Sequence, residues 1–172
     1  PQYNEDKSLV IVFNGEIYNF VELKAELKKS GHKFTNKSDT EVIIHGYEEW
    51  GVEVTKHLRG MFAFAIWDTK QKTLFIARDG FGIKPLYYAK FGNSFMFASE
   101  IKAFLDHPKF KKELNKEILS SYLCFNSTPT EETFFKGVYR VEPGYQILYK
   151  DGKISKTKHD KLLMTTDDIP DG

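Results

Sequence analysis

Cysteine is nearly absent from this chain of 172 residues: Cys124 stands alone, so no disulfide can form within it and no site of paired thiolates can exist. A surplus of either charge is missing too. Lys and Arg number 25 against 24 Asp and Glu, which leaves no global field to gather nucleic acid or an anionic membrane. The short basic runs from Lys109 to Lys112 and from Lys153 to Lys161 carry no nucleic-acid-binding motif and read as solvated faces. The longest apolar run, Met61 to Trp67, is far shorter than the roughly 20 residues of a membrane-crossing helix. No glycine-rich phosphate loop of either common type is present, so nucleotide binding within the chain is not expected. The histidines, at 32, 45, 57, 107 and 159, lack the i, i+3 or i, i+4 spacing of paired metal ligands on a helix, and no metal site is expected. These absences predict a cytoplasmic protein with no cofactor of its own, no nucleic-acid partner and no membrane partner.

What is present is material for a core. The chain is 41% apolar and 15% aromatic, enough for one globular domain. Leu9 to Phe13 reads as a short strand ending at Asn14-Gly15. A helix follows, with Asn19 as N-cap, Glu22 as its capping partner, Phe20, Leu23 and Leu27 on one face and Gly31 as the stop. Ser38, Glu41 and Gly51 repeat that grammar for a second helix. Met61 to Trp67, Leu74 to Ala77, Leu86 to Ala89 and Phe95 to Ala98 then predict an antiparallel meander. The first of these is apolar on both sides, so it must be covered on both faces, and stacked layers follow. Glu100 to Leu105 and Lys116 to Leu123, the latter capped by Asn115, read as helices. Tyr145 to Lys150 and Lys153 to Ser155 flank an Asp151-Gly152 hairpin turn. The stretch from Asp160 to Gly172 is polar and reads as a tail or linker.

The pair Asn14-Gly15 admits two readings. As a dipeptide it is a strong signal for a two-residue hairpin turn. It also offers a side-chain amide and an unencumbered backbone N–H, with the carboxylate of Glu16 alongside. Asp39, taken alone, is an acidic residue in the first turn of a helix, where it suits the dipole. Arg78-Asp79 alone is a surface ion pair worth little. Cys124, among apolar neighbours in Tyr122-L-C-F125, reads as a packed side chain rather than a nucleophile.

Five segments taken together resemble one family. Val12-F-N-G-E-I-Y-N19, Ser38-D-T-E-V42, Gly60-M-F-A-F-A-I-W-D68, Ala77-R-D-G-F-G-I-K-P-L-Y-Y88 and Ala98-S-E-I-K-A103 are similar, in order and spacing, to the glutaminase domain of glutamine-dependent asparagine synthetases. That domain is a class II glutamine amidotransferase of the N-terminal-nucleophile hydrolases. The resemblance spans about Tyr3 to Lys156 and implies an α+β fold, a four-layer αββα sandwich of two antiparallel sheets between helices, here incomplete. It implies a domain over residues 1–159, with 160–172 leading toward a synthetase domain.

The implied chemistry is release of ammonia from glutamine by an N-terminal cysteine. The resemblance gives the oxyanion-hole roles to Asn14 and Gly15, and to Glu16 and Asp39 the binding of the amino-acid end of glutamine. Arg78-Asp79 shares a family motif without an assignable catalytic role. The sequence opens on Pro1 rather than the family's cysteine, so the expectation is a fragment without its first strands or nucleophile, inactive by itself. ATP and magnesium belong by the same resemblance to the synthetase domain, and a homodimer is held open. A non-catalytic supporting domain and a glutaminase serving another acceptor are the alternatives. Asn14, Gly15, Glu16 and Asp39 together weigh against the first of these, and the segment from Leu114 to Ser155 against the second.

Overall fold

The computed structural model describes residues 1–126, 128 and 130–160. The expected tail therefore lies, beyond Asp160, outside the described residues. Two antiparallel sheets form the body. The larger has the order β1 (Gln2–Tyr3), β2 (Leu9–Ile17), β3 (Gly60–Asp68), β4 (Thr73–Arg78), β8 (Tyr145–Lys150), β9 (Lys153–Lys158). The smaller has the order β6 (Ser94–Ala98), β5 (Tyr87–Phe91), β7 (Val138–Arg140). The four runs expected to form a meander are all strands, but they divide between the sheets. β3 and β4 pair in the first, β5 and β6 in the second, and the chain changes sheets across the segment after Arg78.

The layers follow from the alternation of side chains along each strand. On one face of the large sheet Ile11, Ile17, Phe62, Phe64, Ile66 and Phe75 pack against Leu23 and Leu27 of α1 (Phe20–Lys29) and Val42, Ile43 and Ile44 of α2 (Thr40–Trp50). The opposite face presents Ala63, Ala65, Leu74, Ile76 and Ile147 to Tyr88 of the second sheet and to Leu86 and Val141, which flank its strands. Small alanines on β3 let the sheets approach, which is why Met61 to Trp67 reads as apolar on both sides. Beyond the second sheet, Phe104 of the 3-10 helix Ile101–Phe104 meets Ala89 and Val138. The order is αββα, with the last layer reduced to that short helix and neighbouring segments. The expected helix at Lys116 to Leu123 forms as α3 (Leu119–Phe125), displaced toward the C-terminus, and none of its side chains is buried.

Helix entry differs from the expected grammar. Neither Asn19 nor Asp39, the N-cap positions, makes a side-chain cap. The Asn19 side chain instead ties the loop before β3, donating to the His57 carbonyl at 2.9 Å and accepting from the Arg59 amide at 2.9 Å. Glu41, buried in α2, turns back to the preceding loop, accepting from the Thr35 amide and hydroxyl at 2.8 Å each and from the Asn36 amide at 3.1 Å. Burial alone would raise the Glu41 pKa, but these three donors outweigh it and hold it below the usual value near 4.5. A lowered folded-state pKa means that the unfolded chain takes up the proton first. Stability from Glu41 is therefore fully present above about pH 4.5 and is lost as the pH falls through its folded value. Glu41→Gln is expected to lower stability by about 1–3 kcal/mol at neutral pH and to flatten the decline below pH 4.5. Thermal melts of both proteins from pH 3 to 7 check this, and parallel curves would count against it.

Candidate functional site

Asn14-Gly15 is not a turn. β2 runs through it in an unbroken antiparallel register with β3, from Leu9 opposite Asp68 to Ile17 opposite Gly60. A dipeptide that favours hairpins makes one only where the flanking segments can pair, and the partner of β2 is a strand more than forty residues later. Gly15 instead answers a steric demand. Its φ is +151°, and a Cβ at this position would lie 2.1 Å from the Met61 carbonyl oxygen. The glycine expected to admit a ligand is first required for the close approach of β3.

Alternation along β2 sets the directions of the remaining groups. Asn14 stands opposite Ala63 and Val12 opposite Ala65, so both point into the space between the sheets. Yet Asn14 is exposed and Val12 40% exposed, so this end of β2 is not sealed between the sheets. The result is a cleft of about 110 Å³ between Val12, Asn14 and Ala63 on one side and Leu86, Phe97 and Ser99 on the other. It is well below the roughly 300–1,000 Å³ of a site for a drug-sized ligand, and is suited to a side-chain amide rather than a nucleotide. Glu16, also exposed, follows Asn14 on the same face, about 7 Å along the strand.

The backbone of Gly15 faces another way. Leu9 donates its amide toward the β1 side, to Asn4 Oδ1 at 2.9 Å, whereas Tyr18 donates to Arg59 on the β3 side. Even-numbered amides of β2 therefore serve β3 and odd-numbered ones point to the outer edge. Pairing with β1 stops at Ile11, and beyond it no strand among the described residues pairs with that edge. The Gly15 N–H projects there. Two residues on, the Ile17 N–H projects the same way and donates to Asp39 Oδ2 at 3.0 Å. Asp39, at the N-terminus of α2, thus brings its carboxylate to the edge bearing the Gly15 amide, and its other oxygen has no partner among the described residues. The four residues singled out from sequence meet at one end of β2. Asn14 and Glu16 line its inter-sheet face, and Gly15 and Asp39 its outer edge.

Arg78 and Asp79 are buried rather than a surface ion pair, and they act on backbone rather than on each other. Arg78 donates to the carbonyls of Lys84 at 2.7 Å, Gly82 at 2.6 Å and Val141 at 2.7 Å. The Asp79 carboxylate accepts from the amides of Phe62, Phe81, Ile83 and Lys84. Together they mould the crossover between the sheets and hold out Phe81 and Ile83, 73% and 58% exposed. His159 also joins this group, a contact the sequence did not signal. Its Nε2 lies 2.9 Å from the Arg78 carbonyl, and burial lowers its pKa. Cys124 is exposed rather than packed, on α3, whose Tyr122 shares a cleft on the outer side of the second sheet with Tyr87 and Ile101.

Two solved structures share this arrangement of sheets. A glutamine phosphoribosylpyrophosphate amidotransferase from B. subtilis aligns with a TM-score of 0.64, covering 92% of this chain and 31% of its own, at 22% identity. A structure described as the allosteric regulatory enzyme of purine biosynthesis aligns at 0.62, also at 22% identity, covering 88% and 28%. At such identity the likeness establishes the fold alone, two antiparallel sheets packed between helical layers.

Residues 1–160 match the glutamine amidotransferase domain family, and the chain belongs to it. Among curated relatives, asparagine synthetase [glutamine-hydrolyzing] 3 of Bacillus subtilis is 45% identical over 83% of this chain and 24% of its own length. Asparagine synthetase [glutamine-hydrolyzing] 1 of the same organism is 40% identical over 95% and 28%. Asparagine synthetase [glutamine-hydrolyzing] 2 of Oryza sativa is 54% identical over 62% and 18%. The chain spans about a quarter of the length of the curated relatives it matches. No helix among the described residues is long and apolar enough to cross a membrane.

Proposed function

We propose that this chain is the glutamine-hydrolysing part of a cytoplasmic asparagine-forming enzyme, releasing ammonia from glutamine for ATP-dependent amidation of aspartate elsewhere in the parent protein. The observation that carries the reading is the meeting of the Asn14 side chain, the outward Gly15 N–H and the Asp39 carboxylate at one end of β2. The names of the curated relatives support the acceptor.

In this mechanism a thiolate adds to the side-chain carbonyl carbon of glutamine, and the carbonyl electrons move onto oxygen. The Asn14 amide, from the inter-sheet face, and the Gly15 N–H, from the adjoining edge, donate to that oxyanion as charge develops on it. The α-amine of the nucleophilic residue takes the thiol proton and returns it to the departing nitrogen, which leaves as ammonia. Water then resolves the thioester to glutamate and the free thiol. Glu16 and Asp39 receive the substrate ammonium. The nucleophile is a cysteine with a free α-amine in the parent protein, a role that Cys124, inside the chain, cannot fill. ATP and magnesium are handled by the synthetase part of the parent.

The test is covalent capture by an electrophilic glutamine analogue in the parent protein, with mass spectrometry locating the adduct. Labelling is expected on a cysteine that bears a free α-amine, and not on Cys124. Asn14→Ala is expected to slow capture about 100-fold with an unchanged melting temperature, since Asn14 is exposed and buries nothing. Labelling of Cys124, or capture by Asn14→Ala at the parental rate, overturns the reading.

A further inference from the structure

His32, His45 and Glu48 are far from matching a sequence pattern for metal ligation, yet the fold brings them together. One ligand atom from each can be chosen so that all lie within 4.8 Å of one another. We propose that His32 Nδ1, His45 Nδ1 and Glu48 Oε2 form a zinc(II) site, separate from the glutamine site, that pins the end of α1 and the turn before β2 to α2.

Each donor is placed by the backbone. α1 ends in a Schellman motif: Gly31, at φ +99°, donates to the Lys28 carbonyl at 3.1 Å, and His32 donates to the Leu27 carbonyl at 3.0 Å. That closure sets the His32 ring 5.2 Å from the His45 ring. His45 and Glu48, three residues apart on α2, share one helical face. Their ligand atoms are 2.7 Å apart, and His32 Nδ1 is 3.5 Å from the same Glu48 oxygen. Zinc bonds of about 2.0–2.2 Å in tetrahedral array hold ligand atoms roughly 3.3 Å apart, so a shift of about half an ångström opens the contact between His45 and Glu48.

The surroundings orient these donors as a metal requires. His32 Nε2 lies 3.0 Å from Glu49 Oε2. A proton held there leaves the Nδ1 lone pair directed at Glu48, in the carboxylate–histidine–metal arrangement. Asn4 donates to Glu48 Oε1 at 2.7 Å while its own oxygen is held by the Leu9 amide. Glu48 is therefore fixed with Oε2 turned inward. The His45 side chain is 2% exposed, His32 17% and Glu48 24%, so the ion enters from the Glu48 rim and a water completes the fourth position. Two imidazoles and one carboxylate suit zinc rather than calcium or magnesium, which prefer all-oxygen shells. Binding replaces the Nδ1 proton that His45 holds against Glu48: in a neutral ring that proton moves to Nε2, and from a charged ring it is released to solvent.

The experiment is calorimetric titration of the untagged, metal-stripped parent protein with zinc chloride, together with the visible spectrum of the cobalt(II) form. One equivalent is expected to bind, with tetrahedral cobalt bands and a melting temperature raised by about 5–10 °C at hundred-fold excess over Kd. His32→Ala and Glu48→Gln are each expected to weaken binding at least 100-fold, and Glu49→Gln by about 10–100-fold. His32 and Glu48 lie nearer the surface than His45, so these variants keep the fold, which circular dichroism checks. Absence of a saturable single equivalent, or binding that survives both His32→Ala and Glu48→Gln, overturns the proposal. So does binding abolished by Cys124→Ser, which would place the ion on the exposed thiol.

Discussion

Gly15→Ala is expected to lose on the order of 4 kcal/mol of stability, the sum of about 1–3 for an L-residue at positive φ and about 1–3 for overpacking. The new methyl would stand 2.1 Å from the Met61 carbonyl oxygen and 2.8 Å from Phe62 Cα. Both are backbone atoms of β3, so no side-chain rotation relieves the clash. Either β2 separates from β3 between Asn14 and Glu16, or Gly15 leaves its φ of +151°, and both outcomes turn its N–H away from the outer edge. For a chain of this length the melting temperature is expected to fall by about 8–16 °C. Gly31→Ala is the control, since Gly31 also has a positive φ but a Cβ there meets nothing within 4 Å. It is expected to cost only about 1 kcal/mol. Equal losses in the two variants, read by thermal and urea unfolding, would show that the approach to β3 is not what requires Gly15.

Asp79→Ala is expected to cost about 4–5 kcal/mol. Asp79 is 1% exposed, and its carboxylate accepts from Phe62 at 3.2 Å, Phe81 at 3.1 Å, Ile83 at 3.0 Å and Lys84 at 3.1 Å. Removing it leaves four amides without an acceptor, each at about 1–3 kcal/mol if unrelieved. Water reaching the loop amides beside exposed Phe81 and Ile83 offsets part of that. Asp79→Asn is not a conservative rescue. Oδ1 serves Phe81 and Ile83 while Oδ2 serves Phe62 and Lys84, so the Asn NH2 confronts two donors whichever way the amide is turned. Its loss is expected to fall between parent and alanine variant. An Asp79→Asn melt indistinguishable from the parent would refute this account of the crossover.

Sequence periodicity made the layers legible because burial obeys it. The unalternating run in β3 foretold cover on both faces, and Leu23 and Leu27 foretold the inward stripe of α1. Turn chemistry at Asp151-Gly152 was legible as well, since its two strands are adjacent in sequence and the pair adopts φ of +49° and +76°. The same reasoning fails at Asn14-Gly15, whose neighbour is fixed by distant pairing. It fails equally for the Asn19 and Glu41 side chains, which bond to loops rather than to their own helix ends. Arg78 and Asp79 looked like mutual partners because they are adjacent, but Arg78 closes β4 and Asp79 opens the crossover, and each side chain is taken up by backbone groups of that loop. The gathering of Asn14, Gly15, Glu16 and Asp39 was indicated by family resemblance, not by spacing. His32 meeting His45 and Glu48 was invisible, because it depends on how the end of α1 folds back over α2.

The pairing of β4 with β8 also governs the order of events during synthesis. Ile76 hydrogen-bonds alongside Ile147, and at about 5–20 residues per second a ribosome needs roughly 4–14 s to supply the intervening stretch. Through that interval β2, β3 and β4 can assemble against α1 and α2, but the β4 edge, with Leu74, Phe75 and Ile76 beside it, remains unmatched. Nascent chains are thus vulnerable to joining one another through this strand until β8 emerges to pair with it.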